Sequence, residues 1–190
     1  MSTEDFEKRV GFGPRLGAYL VDAILNSILS LLVFLPMIDF ETVIDILQDD
    51  PNLLNSYLMQ TGVLQYSTLL GIVYVSVEML TGASPAKHMF GYKIGNPDGS
   101  PGDTPLYIKR GLIKYSPQFV SAIALFAGLT ESLGFLGSLL SIGIFLGSFL
   151  ALAEHKQALH DKLAKTAIYR KTDLKNYDPN AADEEEGGLV

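Results

Sequence analysis

The stretch Pro14-Arg15-Leu16-Gly17-Ala18-Tyr19-Leu20-Val21-Asp22-Ala23-Ile24-Leu25-Asn26 decides the fold. It opens an apolar run that continues through Ser30-Leu31-Leu32-Val33-Phe34-Leu35 to Met37. At ~1.5 Å per residue, a helical run of this length crosses a hydrocarbon core of ~30 Å. Yet it carries charge at Arg15 and Asp22. With ~3.6 residues per turn, Asp22 lies about two turns beyond Arg15 and Asn26 about one turn further, so the three share a narrow stripe. A charge near the centre of a spanning helix costs about 2.5 to 3.5 kcal/mol even on a lenient insertion scale. The stripe must therefore face other helices, and Asp22 must find a partner there.

Of the 190 residues 48% are hydrophobic, gathered in long blocks instead of short periodic segments, which reads as an all-α polytopic membrane protein with the lipid bilayer as its solvent. The formal charge of -7 is concentrated in two places. Residues 39–61 carry five acids and no base, and residues 172–190 carry six acids against Lys175; the remainder is positive. No basic patch interleaves with aromatic residues, so nucleic acid is not an expected partner. The chain has no cysteine, which excludes disulfides and thiolate metal sites. The first run holds Asp22 and is followed by no small-residue cleavage site, so it reads as a retained anchor.

In chain order, Pro14 suits a helix start and Pro36 closes a first span at residues 15–37. Phe40, Val43, Ile44 and Leu47 then fall on one side of a helix and Asp39, Glu41, Asp45 and Asp49 on the other. Pro51-Asn52 breaks this pattern before a second short piece at Leu53, Leu54, Tyr57 and Leu58. Two readings stand open here: helices lying along the membrane surface, or an acidic vestibule that collects cations. A second span covers residues 62–80, with Glu78 near its end. Ser84-Pro85 starts a short helix through Met89, Tyr92-Lys93-Ile94 is extended, and Asn96-Pro97-Asp98-Gly99 is a turn. Thr104-Pro105 repeats the cap-and-proline start. The helix it opens mixes Lys109, Arg110 and Lys114 with Leu106, Ile108, Leu112 and Ile113, which suits the headgroup zone.

The next apolar block is too long for one span and is interrupted at Thr130-Glu131-Ser132. It divides into a third span at residues 112–129, kinked at Pro117, and a fourth at residues 133–153; a third span at 117–136 is the other possible division. The fourth carries Gly143, Gly147 and Ala151, a spacing that brings helices close either inside one protomer or in a homo-oligomer. This membrane domain, residues 1–171, precedes an acidic tail at 172–190. From residue 178 the tail has too little apolar surface to fold and is free to meet a protein partner. Four spans place residues 1–15, 82–118 and 154–190 in one compartment, and all fourteen Lys and Arg lie there. The positive-inside rule then makes both termini cytoplasmic, in a bacterial inner or plasma membrane.

This orientation sets the intramembrane charges at similar depth. Arg15 and Asp22 sit in the cytoplasmic half of the first span and Glu78 near the cytoplasmic end of the second. Glu154-His155 closes the fourth, and Leu159-His160-Asp161-Lys162-Leu163-Ala164 can fold back to bring Asp161 to Arg15. These residues, with Thr81-Gly82-Ala83-Ser84-Pro85-Ala86-Lys87-His88-Met89-Phe90-Gly91-Tyr92-Lys93-Ile94, resemble the RDD family of small membrane proteins, named for one arginine and two aspartates. The resemblance spans about residues 8–170 and implies Arg15, Asp22 and Asp161 as the naming residues. Lys165 stands where a glycine is common in the family, and the acidic segment at 39–61 is longer than expected. For activity the resemblance implies at most cation/proton exchange.

Two roles remain open for the charges: a buried network of Arg15, Asp22 and Asp161 that fixes helix register, or an ion or proton pathway through Asp22, Asn26 and Glu78. Glu78 has no evident partner in the sequence and reads either as part of that pathway or as a snorkelling side chain. His88, His155 and His160 lack the spacing of a metal site, no G-x-S-x-G elbow occurs, and no nucleotide fingerprint is present, so no enzyme activity, metal or cofactor is expected. The functions in contention are a small cation/proton transporter and a non-transporting accessory or assembly subunit.

Overall fold

The structure is a computed structural model and describes residues 6–175. The tail expected to be disordered, 178–190, lies outside the described residues. Three helices are long and apolar enough to cross a membrane: α1, Phe12–Phe34; α4, Val63–Thr81; and the helix beginning at Thr130, which runs to Leu152. Along α1 the apolar side chains Tyr19, Leu20, Ile24, Ile28, Leu31 and Leu32 are exposed, whereas Arg15, Asp22 and Asn26 are half-buried on the inward side. An outward apolar surface of this extent is stable only against lipid. The protein is an integral membrane protein built mostly of helices.

Between the first two long helices lie α2, Phe40–Asp49, and α3, Leu53–Gln60. Asp39 caps α2 by accepting from the Glu41 amide, while Phe40, Ile44 and Leu47 stay exposed beside an exposed acidic face. The apolar block after residue 112 departs from the expected division. Helix α6, Thr104–Lys114, meets α7, Ser116–Phe126, at Tyr115. Pro117 has no amide to offer the Ile113 carbonyl, and the Ser116 hydroxyl donates to it instead at 3.0 Å, so the chain bends without stranding that acceptor. The turn that follows is at 127–129, where Gly128 takes φ 69°, and Thr130-Glu131-Ser132 opens the next helix instead of interrupting the block. Helix α8, Thr130–Ser148, folds back on α7 and ends in a 3-10 turn at Phe149–Leu152.

The polar segments condense into one cap at the ends of the long helices. Helix α5, Pro85–Met89, begins with the Ser84 side chain accepting from the Lys87 amide. Strand β1, Tyr92–Gly95, pairs antiparallel with β2, Ala167–Arg170, in the register Ile94 to Ile168. The N-terminal segment joins them: the Val10 amide donates to the Ile168 carbonyl at 2.8 Å, and Arg9 donates to the carbonyls of His155 and Pro97. Val10, Ile94, Tyr107 and Ile168 form the small core of the cap. Gly82 turns the chain from α4 into it, with φ 76° and the Tyr107 ring where a Cβ would stand, so no other residue fits. The start of α6 is capped by Asp103, which accepts from the Leu106 amide, and not by Thr104. Order also continues past residue 171: Leu174 is buried against Ala167 and Tyr169, and the Lys175 amide donates to the Gly99 carbonyl.

Helix α9, Leu159–Ala164, ends at Lys165, which takes φ 59° so that the chain turns into β2 and the Thr166 amide reaches the Asp161 carbonyl. The tight turn is made without the glycine common there. A side chain held in this region costs roughly 1–2 kcal/mol, partly offset by its smaller loss of backbone freedom than glycine's. Lys165→Gly is therefore expected to stabilise the protein by about 0.5–1 kcal/mol, read as a rise in melting temperature in detergent. An unchanged or lower value would show that the turn is unstrained.

Candidate functional site

The site begins with α6. Tyr107, Arg110, Gly111 and Lys114 recur at the spacing of one helix face and point inward, leaving Lys109 exposed on the other side. Tyr107 enters the cap core, and Gly111 admits Met79 of α4 where a Cβ would collide with its side chain. This close approach carries Arg110 and Lys114 to Glu78, one turn before the end of α4.

Glu78 is 1% exposed and has four partners. Its Oε1 accepts from Lys87 Nζ at 2.7 Å and from Arg110 Nη1; its Oε2 accepts from Lys114 Nζ at 2.7 Å and from the Tyr115 hydroxyl at 2.5 Å. Asp161, fully buried on α9, accepts from Arg110 Nε at 2.7 Å through Oδ1. Its Oδ2 accepts from Arg15 Nη1 and from the Ala158 amide. Arg110 is thus the bridge between the two carboxylates. Arg15 donates also to the Val10 carbonyl at 2.7 Å and the Lys156 carbonyl at 2.6 Å, tying α1 to both chain segments that close the cap.

The charge states follow from these neighbours. Burial alone would raise the pKa of Asp161, but the guanidiniums of Arg110 and Arg15 outweigh it and hold the carboxyl well below the usual range. Burial likewise works against the Arg110 cation, and Asp161 and Glu78 overcome it, raising its pKa above the ordinary value. His160 is pushed down to about 3, first by burial and then by Arg110, so it is a neutral imidazole. Its Nε2 lies 3.1 Å from Arg110 Nη2 and acts as acceptor, which places the proton on Nδ1, a buried atom without a hydrogen-bond partner among the described residues. Lys87 is lowered to about 7, burial outweighing the attraction of Glu78.

The structure brings Arg15 and Asp161 together and sets Asp22 apart. Asp22 shares the inward stripe with Arg15 but accepts from neutral donors: Tyr74 Oη at 2.8 Å, Ser84 Oγ at 2.5 Å and the Ala86 amide at 3.0 Å. It pins the start of α5 to α1. Asn26, one turn deeper, leaves Oδ1 buried without a partner among the described residues. The absence of a fixed partner for Glu78 is corrected outright, since three bases surround it. Of the small-residue stripe, Gly147 packs directly on Leu159 and Ala151 is buried, while Gly143 faces outward. Of the histidines, His88 meets Thr81 Oγ1 at 3.0 Å and His155 stacks edge-on to Phe6, apart from His160.

Arg110, Lys87, Lys114 and Tyr115 were not legible as site residues. The available signal was the face shared by Arg110 and Lys114 opposite Lys109. Among curated proteins and among solved structures nothing matches the chain. The sequence model of the RDD family matches residues 9–165, which includes Arg15, Asp22 and Asp161, and the chain belongs to the RDD family.

Proposed function

We infer that the protein is a four-span transporter that exchanges cations against protons, with both termini in the cytoplasm of a bacterial cell. The observation that carries this reading is the gathering of three carboxylates and four bases at one end of the apolar helices, with Glu78, Asp161, Lys87 and Arg110 buried and Asp22, Arg15 and Lys114 half-buried. Ionisable groups at membrane depth are costly and commonly mark ion or proton routes. Asp22 is the carboxylate of the three held by neutral donors alone, and so the one whose charge is free to respond to a passing ion. The four-span topology is supported by the cap. Residues at the start of α1, the end of α4 and the end of α8 meet there, which favours a crossing away from that side between α4 and α8, with α7 as the short pass. All fourteen Lys and Arg fall on the cap side under that topology.

A second reading, an accessory subunit whose charges only lock the helices, is favoured by one feature: every oxygen of Glu78 and Asp161 already has protein donors. Proteoliposomes containing the purified full chain and a trapped pH dye separate the two. A sodium or potassium gradient should drive proton movement well above that of empty vesicles. Flux equal to empty vesicles would overturn the transporter and leave the accessory role.

A further inference from the structure

The cluster around Glu78 holds more positive than negative charge. Its two arginines cannot give up protons under ordinary conditions. Asp161 is locked between two guanidiniums, and protonating Glu78 would leave three bases facing a neutral acid. His160 accepts from Arg110 and would place a cation against a cation if protonated. Lys114 is the most exposed of the four bases, with a side chain 19% accessible, and its ammonium has two oxygen acceptors, Glu78 Oε2 and Tyr115 Oη. Lys87 differs from all of these. Its side chain is 7% accessible, and its ammonium, with three N–H donors, has one acceptor among the described residues, Glu78 Oε1, which it shares with Arg110.

We propose that Lys87 is the proton-exchanging residue of the cluster: its ε-amine, and neither Glu78 nor Asp161, takes up and releases the proton. Deprotonation breaks one N–H bond, leaves the electron pair on Nζ and passes the proton to water. The neutral amine still donates one N–H to Oε1, and two unmet buried donors become a single one. The charge count points the same way, because with Asp22 included the four bases exceed the three carboxylates by one. Losing the Lys87 proton makes the cluster neutral. The groups facing Lys87 are Glu78 from α4 and Arg110 and Lys114 from α6; Asp22 from α1 holds the neighbouring Ser84 and Ala86. Burial, reinforced by Lys114 and Arg110 and opposed by Glu78, brings the amine to about 7 from the ordinary 10.5. Helix α5 is tied to α1 through Asp22 and to α4 through Lys87 and through His88 on Thr81, so the proton sets the strength of one of these ties.

The role of this proton in transport rests on the reading above, whereas the titration itself does not. The full chain in detergent, with 13C-labelled lysine, should show one of its ten lysine Cε resonances titrating near 7, and that resonance should vanish in Lys87→Arg. If every lysine titrates near 10.5, or if the early resonance survives in the variant, the proposal is overturned. A second measurement needs no variant. The unfolded chain keeps this proton up to about 10.5 while the folded chain releases it near 7, so stability grows as pH rises between those values. The melting temperature of the wild type should climb from pH 7 to pH 9, and a falling curve would overturn the proposal. Flux without a lysine titrating near 7 removes this inference and keeps the transporter; the titration without flux does the reverse.

Discussion

Glu78→Ala will lower the stability of the protein by about 3–5 kcal/mol, the loss usual when one member of a buried ion pair is removed and its partner is stranded. The figure belongs at the upper end, because Lys87, Arg110 and Lys114 all end on this carboxylate and would then repel one another across the space it vacates. Part of the loss is recovered as Lys87 sheds its proton. Glu78→Gln keeps the size and one acceptor oxygen but not the charge, and should fall between the wild type and alanine. Asp22→Asn is the contrast. Its three donors are neutral, and an amide oxygen in the Oδ1 position can still accept from Tyr74 and the Ala86 amide while its NH2 turns to Ser84 Oγ, so the cost should stay near 1–2 kcal/mol, that of one compromised hydrogen bond. Thermal unfolding in detergent, with gel filtration to confirm monodispersity, orders the variants. If Glu78→Gln matches the wild type in stability and loses only flux, the carboxylate serves transport alone and is no part of the scaffold.

The ordering could not be written from the sequence, for a physical reason. Long apolar runs, proline and serine helix starts and the segregation of bases are local signals, and they placed the three long helices, α2, α5 and the return of Asp161 to Arg15. The partners of Glu78 depend on the rotation of α6 about its axis. Lys109, Arg110 and Lys114 among leucines and isoleucines look the same whether the bases reach for headgroups or turn inward. What decides is Gly111 against Met79 and Tyr107 in the cap core, contacts between segments far apart in the chain. Thr104-Pro105 suggests a cap at Thr104, but Asp103 beside it is the stronger capping residue, and the backbone, extended at Asp103, selects it. Gly128 outranked the polar Thr130-Glu131-Ser132 as the turn because a left-handed residue closes α7 while a threonine and an acid suit the first turn of α8.

Arg15→Ala and Asp161→Ala together will cost less than the sum of the two single substitutions, by about 1–3 kcal/mol, since neighbours sharing one interaction are non-additive. Each alone strands a charge, but not to the same degree. Without Arg15, Asp161 keeps Arg110 and the Ala158 amide, so its burial remains compensated; without Asp161, Arg15 loses its carboxylate and Arg110 is left with Glu78 alone. Asp161→Ala should therefore be the costlier single change by way of electrostatics. Arg15→Ala carries a separate loss, because the Val10 and Lys156 carbonyls are left without its N–H groups and the cap loosens at both chain ends. That part persists in the double variant and keeps the coupling below the full cost of the pair. Arg15→Lys tests the division: an ammonium can restore the charge opposite Asp161 but cannot span three acceptors held in the fixed fork of a guanidinium. It should recover the electrostatic share and leave the cap loosened, seen as faster amide exchange at Val10 and Ile168. Additivity within about 0.5 kcal/mol would mean that Arg15 and Asp161, though in contact, are held by their other partners, with Arg110 alone joining the cap to Glu78.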